Sequence, residues 1–541
     1  MRELRVVALG GLVLCGLAAM GQAARGGVGA GAGRCEGLAG VKLEGAEVTS
    51  AAVVRAGTEV EGVKLEGKAR SGLKTFCRVR VTDRPSGDSE IKTEVWLPVR
   101  GWNGRFRGMG NGGFAGVIAY NDMAAAVSQG YATAGTDTGH VGGDGGFALG
   151  HPEKVKDFGW RGVHDMTVEA KALAGAFYGK GPEHSYFTAC SDGGREALME
   201  AERFPGDYEG ILAGAPAYNW TALVSSAAEN DRTLMASAGA YLPARKLPAI
   251  GAAVLAECDA QDGVKDGVLG DPRTCGFDPA TLACKGEETD SCLMPGQVAT
   301  LKEIYATKVD ATGKKVFPGY LPGGESARGS WDVWMVGKAP GDSTLMMFFG
   351  TEFFQDFVFE KKDWSLATFD FDRDERFATE KTGKDLNATE TDLRAFAARG
   401  GRLVMYHGWN DPAIPALSSV DYYDGVVGTM GQQATDAAMR LYMVPGMLHC
   451  GGGPGATVIG QDASGRRGSA NHDVFTALET WVETGKAPGT LTAVKYAEAV
   501  KGVKTEAVVM TRPLCAYPAT ARYVKGDPAK AKSFACVEAK P

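Results

Sequence analysis

The 541-residue chain has no basic run, no repeated unit and, beyond its first 20 residues, no stretch apolar enough to cross a bilayer. Lysine and arginine total 58 against 65 acidic residues, a net charge of −7. Binding driven by phosphate neutralisation needs the opposite balance, so nucleic acid is excluded as a partner class. Histidine is scarce, at 7, which keeps the set of candidate general bases small. A disordered or fibrous chain is excluded by 44% hydrophobic and 23% charged residues. Glycine is abundant instead: 77 residues without a collagen period imply many tight loops, the places where sites are built.

The start of the chain has the order of an export signal. Arg2 and Arg5 precede an apolar run over 6–20, and the small residues Gly21, Ala23 and Ala24 follow. The run is short for a membrane span, and bulky Leu14 before Cys15 speaks against a lipoprotein. Residues 1–24 are therefore expected to be a cleaved signal peptide, and the mature chain secreted or periplasmic. Export implies an oxidising compartment. Of 11 cysteines, ten remain after Cys15 leaves, an even number as a full disulfide set requires. Cys35–Cys77, Cys258–Cys275, Cys284–Cys292 and Cys515–Cys536 would be local pairs, leaving Cys190 with Cys450. Counting alone leaves other connectivities open.

Along the chain, strand and helix patterns alternate. Residues 90–97, 105–109, 131–135, 185–189 and 210–213 read as strands, and 164–177 and 196–203 as helices. The alternation breaks near Tyr218 and resumes with a helix over 393–398, strands over 402–407 and 441–444, and an amphipathic helix over 474–482. The expected fold is α/β with a largely parallel sheet. Residues 35–217 and 377–541 would form the core, and 218–376 an insertion.

The densest chemical signal is Ala189-Cys190-Ser191-Asp192-Gly193-Gly194, between a strand and a helix. It resembles the G-x-S-x-G nucleophile elbow, with Ala189 for the first glycine. Small neighbours are needed because the sharp turn brings them close. The following helix N-terminus offers N–H donors to an oxyanion. The plainer alternative is a Ser-Asp helix cap. A nucleophilic serine needs a base and an orienter, which in this fold class come later, acid before histidine. Asp411 follows a strand end in Gly408-Trp409-Asn410-Asp411-Pro412, where an Asx-turn is the alternative role. Asn410 and His407 are weaker candidates for the same work. His449 follows another strand end in Pro445-Gly446-Met447-Leu448-His449-Cys450. His140 and His164 compete, but both precede the serine. A Cys190–Cys450 bridge would fasten the serine loop to the histidine loop. It would close a loop of about 260 residues, worth about 5 kcal/mol in the chain-entropy model. A metal reading of Cys190, His449 and Cys450 lacks a fourth ligand and the usual short spacing.

Cys190-Ser191, Asp411 and His449-Cys450 together resemble the CS-D-H pattern of the tannase/feruloyl esterase family. Gly110-Asn111-Gly112-Gly113-Phe114, Gly214-Ala215-Pro216-Ala217 and Gly446-Met447-Leu448-His449-Cys450 are further matches, and the resemblance runs from about Cys35 to Cys536. It implies an α/β-hydrolase core with an inserted lid, the Cys190–Cys450 bridge, and the other four pairings above. It implies oxyanion donors at the backbone of Asp192 and of Gly112 or Gly113. The substrates implied are small aromatic esters or phenolic esters on plant polysaccharide, with no membrane partner and no organic cofactor. Tannase activity on galloyl esters and hydrolysis of mono(2-hydroxyethyl) terephthalate are the alternatives within the family. A non-catalytic secreted binding protein and a calcium-dependent adhesion module are the rivals from other classes.

Within the insertion, residues 258–268 place three carboxylates among glycines, a composition suited to a hard cation although not with EF-hand spacing. By resemblance, Ca²⁺ would be held structurally by Asp259, Asp262, Asp266 and the carbonyls of Val264 and Val268. The aromatic residues Trp331, Trp334, Phe348, Phe349, Phe353, Phe354, Phe357 and Trp364 suit an aromatic acyl pocket, though most are expected to form the lid's own core. Arg328, Arg373 and Arg376 are candidates to meet a free carboxylate.

Overall fold

The computed structural model describes residues 29–461, 471–497 and 507–538. The expected signal peptide, residues 1–24 with Cys15, lies outside the described residues. Nine strands form one sheet: β1 (Ala46–Val54), β2 (Phe76–Asp83), β3 (Ile91–Pro98), β4 (Arg105–Met109), β5 (Ala132–Thr136), β6 (His184–Cys190), β7 (Gly210–Gly214), β8 (Arg402–Gly408) and β9 (Met439–Val444). Their order is β1-β2-β3-β5-β4-β6-β7-β8-β9. From β5 to β9 all pairings are parallel, whereas β1, β2 and β3 run antiparallel to their neighbours. The sheet is thus more mixed than the expected one. The sequence reading misses β1 and β2. β2 alternates Cys77, Val79 and Val81 with Arg78 and Arg80, yet it is buried almost throughout, Arg78 by pairing with Glu94.

The helices that matter for the site are α1 (Tyr120–Ser128), α2 (Gly162–Tyr178), α3 (Asp192–Arg203), α4 (Trp220–Met235), α5 (Leu345–Glu352), α6 (Leu417–Met430) and α7 (Val474–Thr484). Of these, α1 and α7 cover one face of the sheet and α2, α3 and α6 the other, and strand alternation divides the core accordingly. Val95 and Leu97 of β3, Phe187 of β6, and Leu403 and Met405 of β8 face α2 and α6. Trp96, Tyr186, Val404 and Tyr406, one residue out of phase, face α1 and α7.

Residues 215–401 add no strand to this sheet. They build two apolar clusters of their own. One surrounds Leu242, Ile250, Val254 and Trp331. The other joins Phe353, Phe354 and Phe357 to Phe114 and Phe158 of the sheet-bearing part. Each such buried phenylalanine contributes about 1.5–3 kcal/mol, so this aromatic cluster firmly seats the insertion above the β4 loop. No helix among the described residues is long and apolar enough to cross a membrane.

Candidate active site

Ser191 sits between β6 and α3 with φ 69° and ψ −125°, a conformation that costs an L-residue about 1–3 kcal/mol. Its N–H donates to the Gly214 carbonyl at 3.0 Å, which holds the turn against β7. A Cβ at Gly193 would lie 2.5 Å from the Ala189 Cβ, and one at Gly110 would lie 2.6 Å from the same atom. Three small residues therefore meet under the turn, which is why alanine suffices at position 189 while 110 and 193 must be glycine. The Ser191 side chain makes no helix-capping bond, so the helix-cap alternative fails. Its Oγ instead stands 2.8 Å from His449 Nε2.

His449 Nδ1 lies 2.8 Å from Asp411 Oδ2. Asp411 Oδ1 also accepts from the N–H groups of Ala413 at 2.8 Å and Ile414 at 3.0 Å. The Asx-turn and the orienting carboxylate are thus the same residue: one oxygen fixes the loop, the other faces the imidazole. The two loops are bonded to each other, Trp409 N–H to Val444 O and Asn410 N–H to Met447 O, both at 3.0 Å. His407 is buried behind the acid. Its Nε2 lies 3.2 Å from Asp411 Oδ2 and 3.1 Å from the Ile414 carbonyl, and its Nδ1 lies 2.7 Å from Ser419 Oγ. Two acceptors at Nε2 require the proton there, so His407 donates to the carboxylate. Burial alone would raise the Asp411 carboxyl; the charge of His449 and the bonds from both imidazoles outweigh it and hold Asp411 well below the usual carboxylate range.

Cys190 and Cys450, flanking serine and histidine, are disulfide-bonded with Cα atoms 6.0 Å apart. The other four pairs are also bonded: Cys35–Cys77, Cys258–Cys275, Cys284–Cys292 and Cys515–Cys536. His140 and His164 are elsewhere. His140 is buried against the Phe147 ring at 3.6 Å, and burial pushes its pKa down to about 4. His164 pairs with Asp207 at 2.7 Å and stacks on Phe204.

A cleft opens beside Ser191, enclosing about 470 Å³ of non-atom space, part of it open to solvent. Gly113 and Asp192 line it with the serine; Gly112 does not. The Gly112 carbonyl instead accepts from Ala115 N–H at 3.0 Å. The Asp192 side chain points away, bonded to Arg195 at 2.6 Å in a fully buried pair, so this residue meets the cleft through its backbone. Glu196, which the sequence reading passes over, accepts from Asn111 N–H at 2.9 Å and holds the glycine loop against α3. Burial, with the Asp192 charge beside it, pushes the Glu196 carboxyl up to about 8. A charged residue about one turn after a candidate nucleophile was the available signal.

The remaining lining is apolar and includes Leu223, Val224 and Ala227 of α4 together with Trp334, Met346 and Phe349. Trp334 packs edge-on against the His449 ring at 5.3 Å. Of the eight insertion aromatics, then, Trp334 and Phe349 reach the cleft. Trp331, Phe353, Phe354 and Phe357 are buried in the insertion's own clusters. Phe348 and Trp364 pack against one of these from its edge. None of Arg328, Arg373 and Arg376 lines the cleft. Arg373 is paired with Asp374 at 2.6 Å, Arg376 faces Asp372 at 3.7 Å, and Arg328 is exposed.

The acidic loop is organised by its own backbone. Asp259 Oδ1 accepts from the N–H groups of Asp266 at 3.2 Å and Gly267 at 3.1 Å, and Asp262 Oδ1 accepts from Val264 N–H at 3.1 Å. Burial pushes the Asp262 carboxyl up to about 6, and the charges of Asp266 and Asp259 add to the rise against the opposing Val264 N–H. Three crowded carboxylates of this kind fit a hard cation. Asp266 is meanwhile bonded to Arg512, which supplies positive charge at the same place. Among the described residues, the trio of metal-type ligand atoms mutually within 4.8 Å is a different one, His164, Glu200 and Asp207.

A serine on a strand–turn–helix elbow, with acid and base at later strand ends of a parallel sheet, defines a serine hydrolase of the α/β type. The family described as "Tannase and feruloyl esterase" matches residues 77–537, and the chain belongs to it. An uncharacterized esterase of Xanthomonas campestris pv. campestris is 39% identical over 534 residues, covering 93% of this chain and 91% of that protein. A probable feruloyl esterase B-2 of Aspergillus flavus is 34% identical over 431 residues, covering 78% and 80%. The crystal structure of feruloyl esterase B from Aspergillus oryzae superposes with a TM-score of 0.84 at 30% identity, covering 94% of this chain and all of that one.

Proposed function

We propose that this protein is an exported serine carboxylesterase that hydrolyses esters of phenolic acids, in the manner of a feruloyl esterase. The observation that carries the reading is the Ser191–His449–Asp411 chain, two hydrogen bonds of 2.8 Å each, at the mouth of an apolar, aromatic-walled cleft. Ser191 Oγ attacks the ester carbonyl as His449 Nε2 takes its proton. Asp411 keeps the Nδ1 proton in place and stabilises the imidazolium. The backbone N–H groups of Asp192 and Gly113 bind the oxyanion. His449 then protonates the leaving alcohol, and water releases the acid from Ser191. Five disulfides support the reading of an exported chain.

The cleft favours a feruloyl over a terephthalate half ester, because no cationic residue among the described residues lines it and a buried free carboxylate would be left unpaired. Release of acid from methyl ferulate, methyl gallate and mono(2-hydroxyethyl) terephthalate tests this. The expected order of kcat/KM is ferulate, then gallate, then the half ester. A faster gallate ester would replace the reading by a tannase, and no acid from any of the three would remove the esterase.

Calcium at Asp259, Asp262 and Asp266, with the Val264 and Val268 carbonyls, is part of the same proposal. Bound there, it would supply charge neutralisation and cross-link the loop. The fully loaded site contributes about 2.7 kcal/mol at a hundredfold excess over Kd. Chelation with EGTA is therefore expected to lower Tm by a few degrees, with recovery on adding Ca²⁺. An unchanged Tm, and no calcium in the purified protein by elemental analysis, would leave the charge of Arg512 as the loop's sole balance.

A further inference from the structure

We propose that His407 is a positioning residue for the triad: it holds the Asp411 carboxylate from behind, takes up part of its charge, and so limits how tightly that carboxylate keeps a proton on His449. The inference rests on the esterase reading above and adds a group to its machinery. His407 is the next-to-last residue of β8, and alternation along the strand puts it in phase with Leu403 and Met405, toward α6. There its Nδ1 meets Ser419 Oγ, in the first turn of α6, at 2.7 Å. Its Nε2 meets Asp411 Oδ2 at 3.2 Å and the Ile414 carbonyl at 3.1 Å. The same Oδ2 faces His449 Nδ1 at 2.8 Å. Two imidazoles thus share one carboxylate oxygen, and His449 is the one that reaches the serine.

His407 and Ser419 are both completely buried. A neutral imidazole meets all three contacts: Nε2–H is shared between the carboxylate and the Ile414 carbonyl, and Nδ1 accepts from Ser419. Ile414 closes the arrangement, because its own N–H donates to Asp411 Oδ1 at 3.0 Å. Turning the carboxylate away from His449 would break bonds at both oxygens. A donor on Oδ2 also competes with His449 for the negative charge. The other titratable groups around the site do not. Tyr320, from the insertion, donates to the Ala413 carbonyl at 3.0 Å, and burial together with the Asp411 charge pushes its hydroxyl well above the usual range. Ser191, from the elbow, faces His449, and Asp192 beside it is taken up by Arg195. Among these groups His407 alone touches the carboxylate on the side opposite His449.

The test is the pH profile of kcat/KM on methyl ferulate, whose acid limb reports loss of the proton from the catalytic base in the free enzyme. His407→Leu strips the donor from Oδ2, so more of the charge falls on His449 and its proton leaves at higher pH. The acid limb should move up by about half to one pH unit, with KM little changed. His407→Gln, whose side-chain amide N–H can take the place of Nε2–H, should keep the wild-type limb. A histidine that only fills space would lower the plateau and leave the limb where it is. That result, or a limb moved equally by both variants, would overturn the proposal. Histidine-selective ¹⁵N spectra of the wild type supply a readout that needs no variant to fold. His407 should hold its proton on Nε2 and stay neutral while His449 titrates, and a His407 proton on Nδ1 alone overturns the assignment. Failure of the esterase reading is seen separately, as no acid released from methyl ferulate by the wild type.

Discussion

Ser191→Ala is expected to lower kcat by about 10⁶-fold and to leave the fold unchanged. The hydroxyl is the sole atom lost, and it contacts His449 without capping α3. Covalent labelling by a fluorophosphonate, read by intact mass, should disappear with it. Labelling that persists in Ser191→Ala would place the nucleophile elsewhere and undo the mechanism. Stability moves in the other direction. Both serine and alanine hold φ near 69° at a cost of about 1–3 kcal/mol, whereas glycine does not. Glycine adds back about 0.4–1 kcal/mol of unfolded-state entropy. The strain is the larger quantity, so Ser191→Gly should melt above Ser191→Ala.

The second large effect concerns the bridge across the insertion. The Cys190→Ala/Cys450→Ala double variant is expected to lose about 2–5 kcal/mol of stability. The bridge spans 260 residues of sequence, the longest closure in the chain. The folded fraction should also lose activity. Ser191 and His449 each sit one residue from a bridged cysteine, and a displacement of about 1 Å between reacting groups costs about 10²-fold in rate. The loops keep the Trp409–Val444 and Asn410–Met447 bonds, but these tie acid to base and leave the serine out. Denaturant unfolding and kcat/KM measured on the same samples separate the two losses. Equal stability and equal kcat/KM in the variant would show that β6, β8 and β9 hold the register alone.

The grouping of Ser191, Asp411 and His449 was legible because each member leaves a local mark. The elbow needs small residues at fixed offsets from Ser191, and Asp411 and His449 follow apolar strands at once. These are constraints between residues a few positions apart, which periodicity and turn chemistry record. The cysteine count worked for a related reason, since four of the five bridges are local in sequence. Strands β1 and β2 were overlooked even though β2 alternates Cys77, Val79 and Val81 with Arg78 and Arg80.

What the tertiary structure alone decided is everything that depends on which surfaces meet. Gly112 and Gly113 are adjacent and chemically identical, and only the packing of their loop against α3, through Asn111 and Glu196, turns the second toward the cleft. Eight insertion aromatics are equally apolar, and only the seating of the insertion selects Trp334 and Phe349 to face the serine. Asp231 reads in sequence as one polar residue in a helix, and only the fold reveals that it is buried with no hydrogen-bond partner for its carboxyl oxygens among the described residues. Sequence records the short-range demands of backbone geometry, while long-range contacts between apolar surfaces are non-directional and leave no spacing to read.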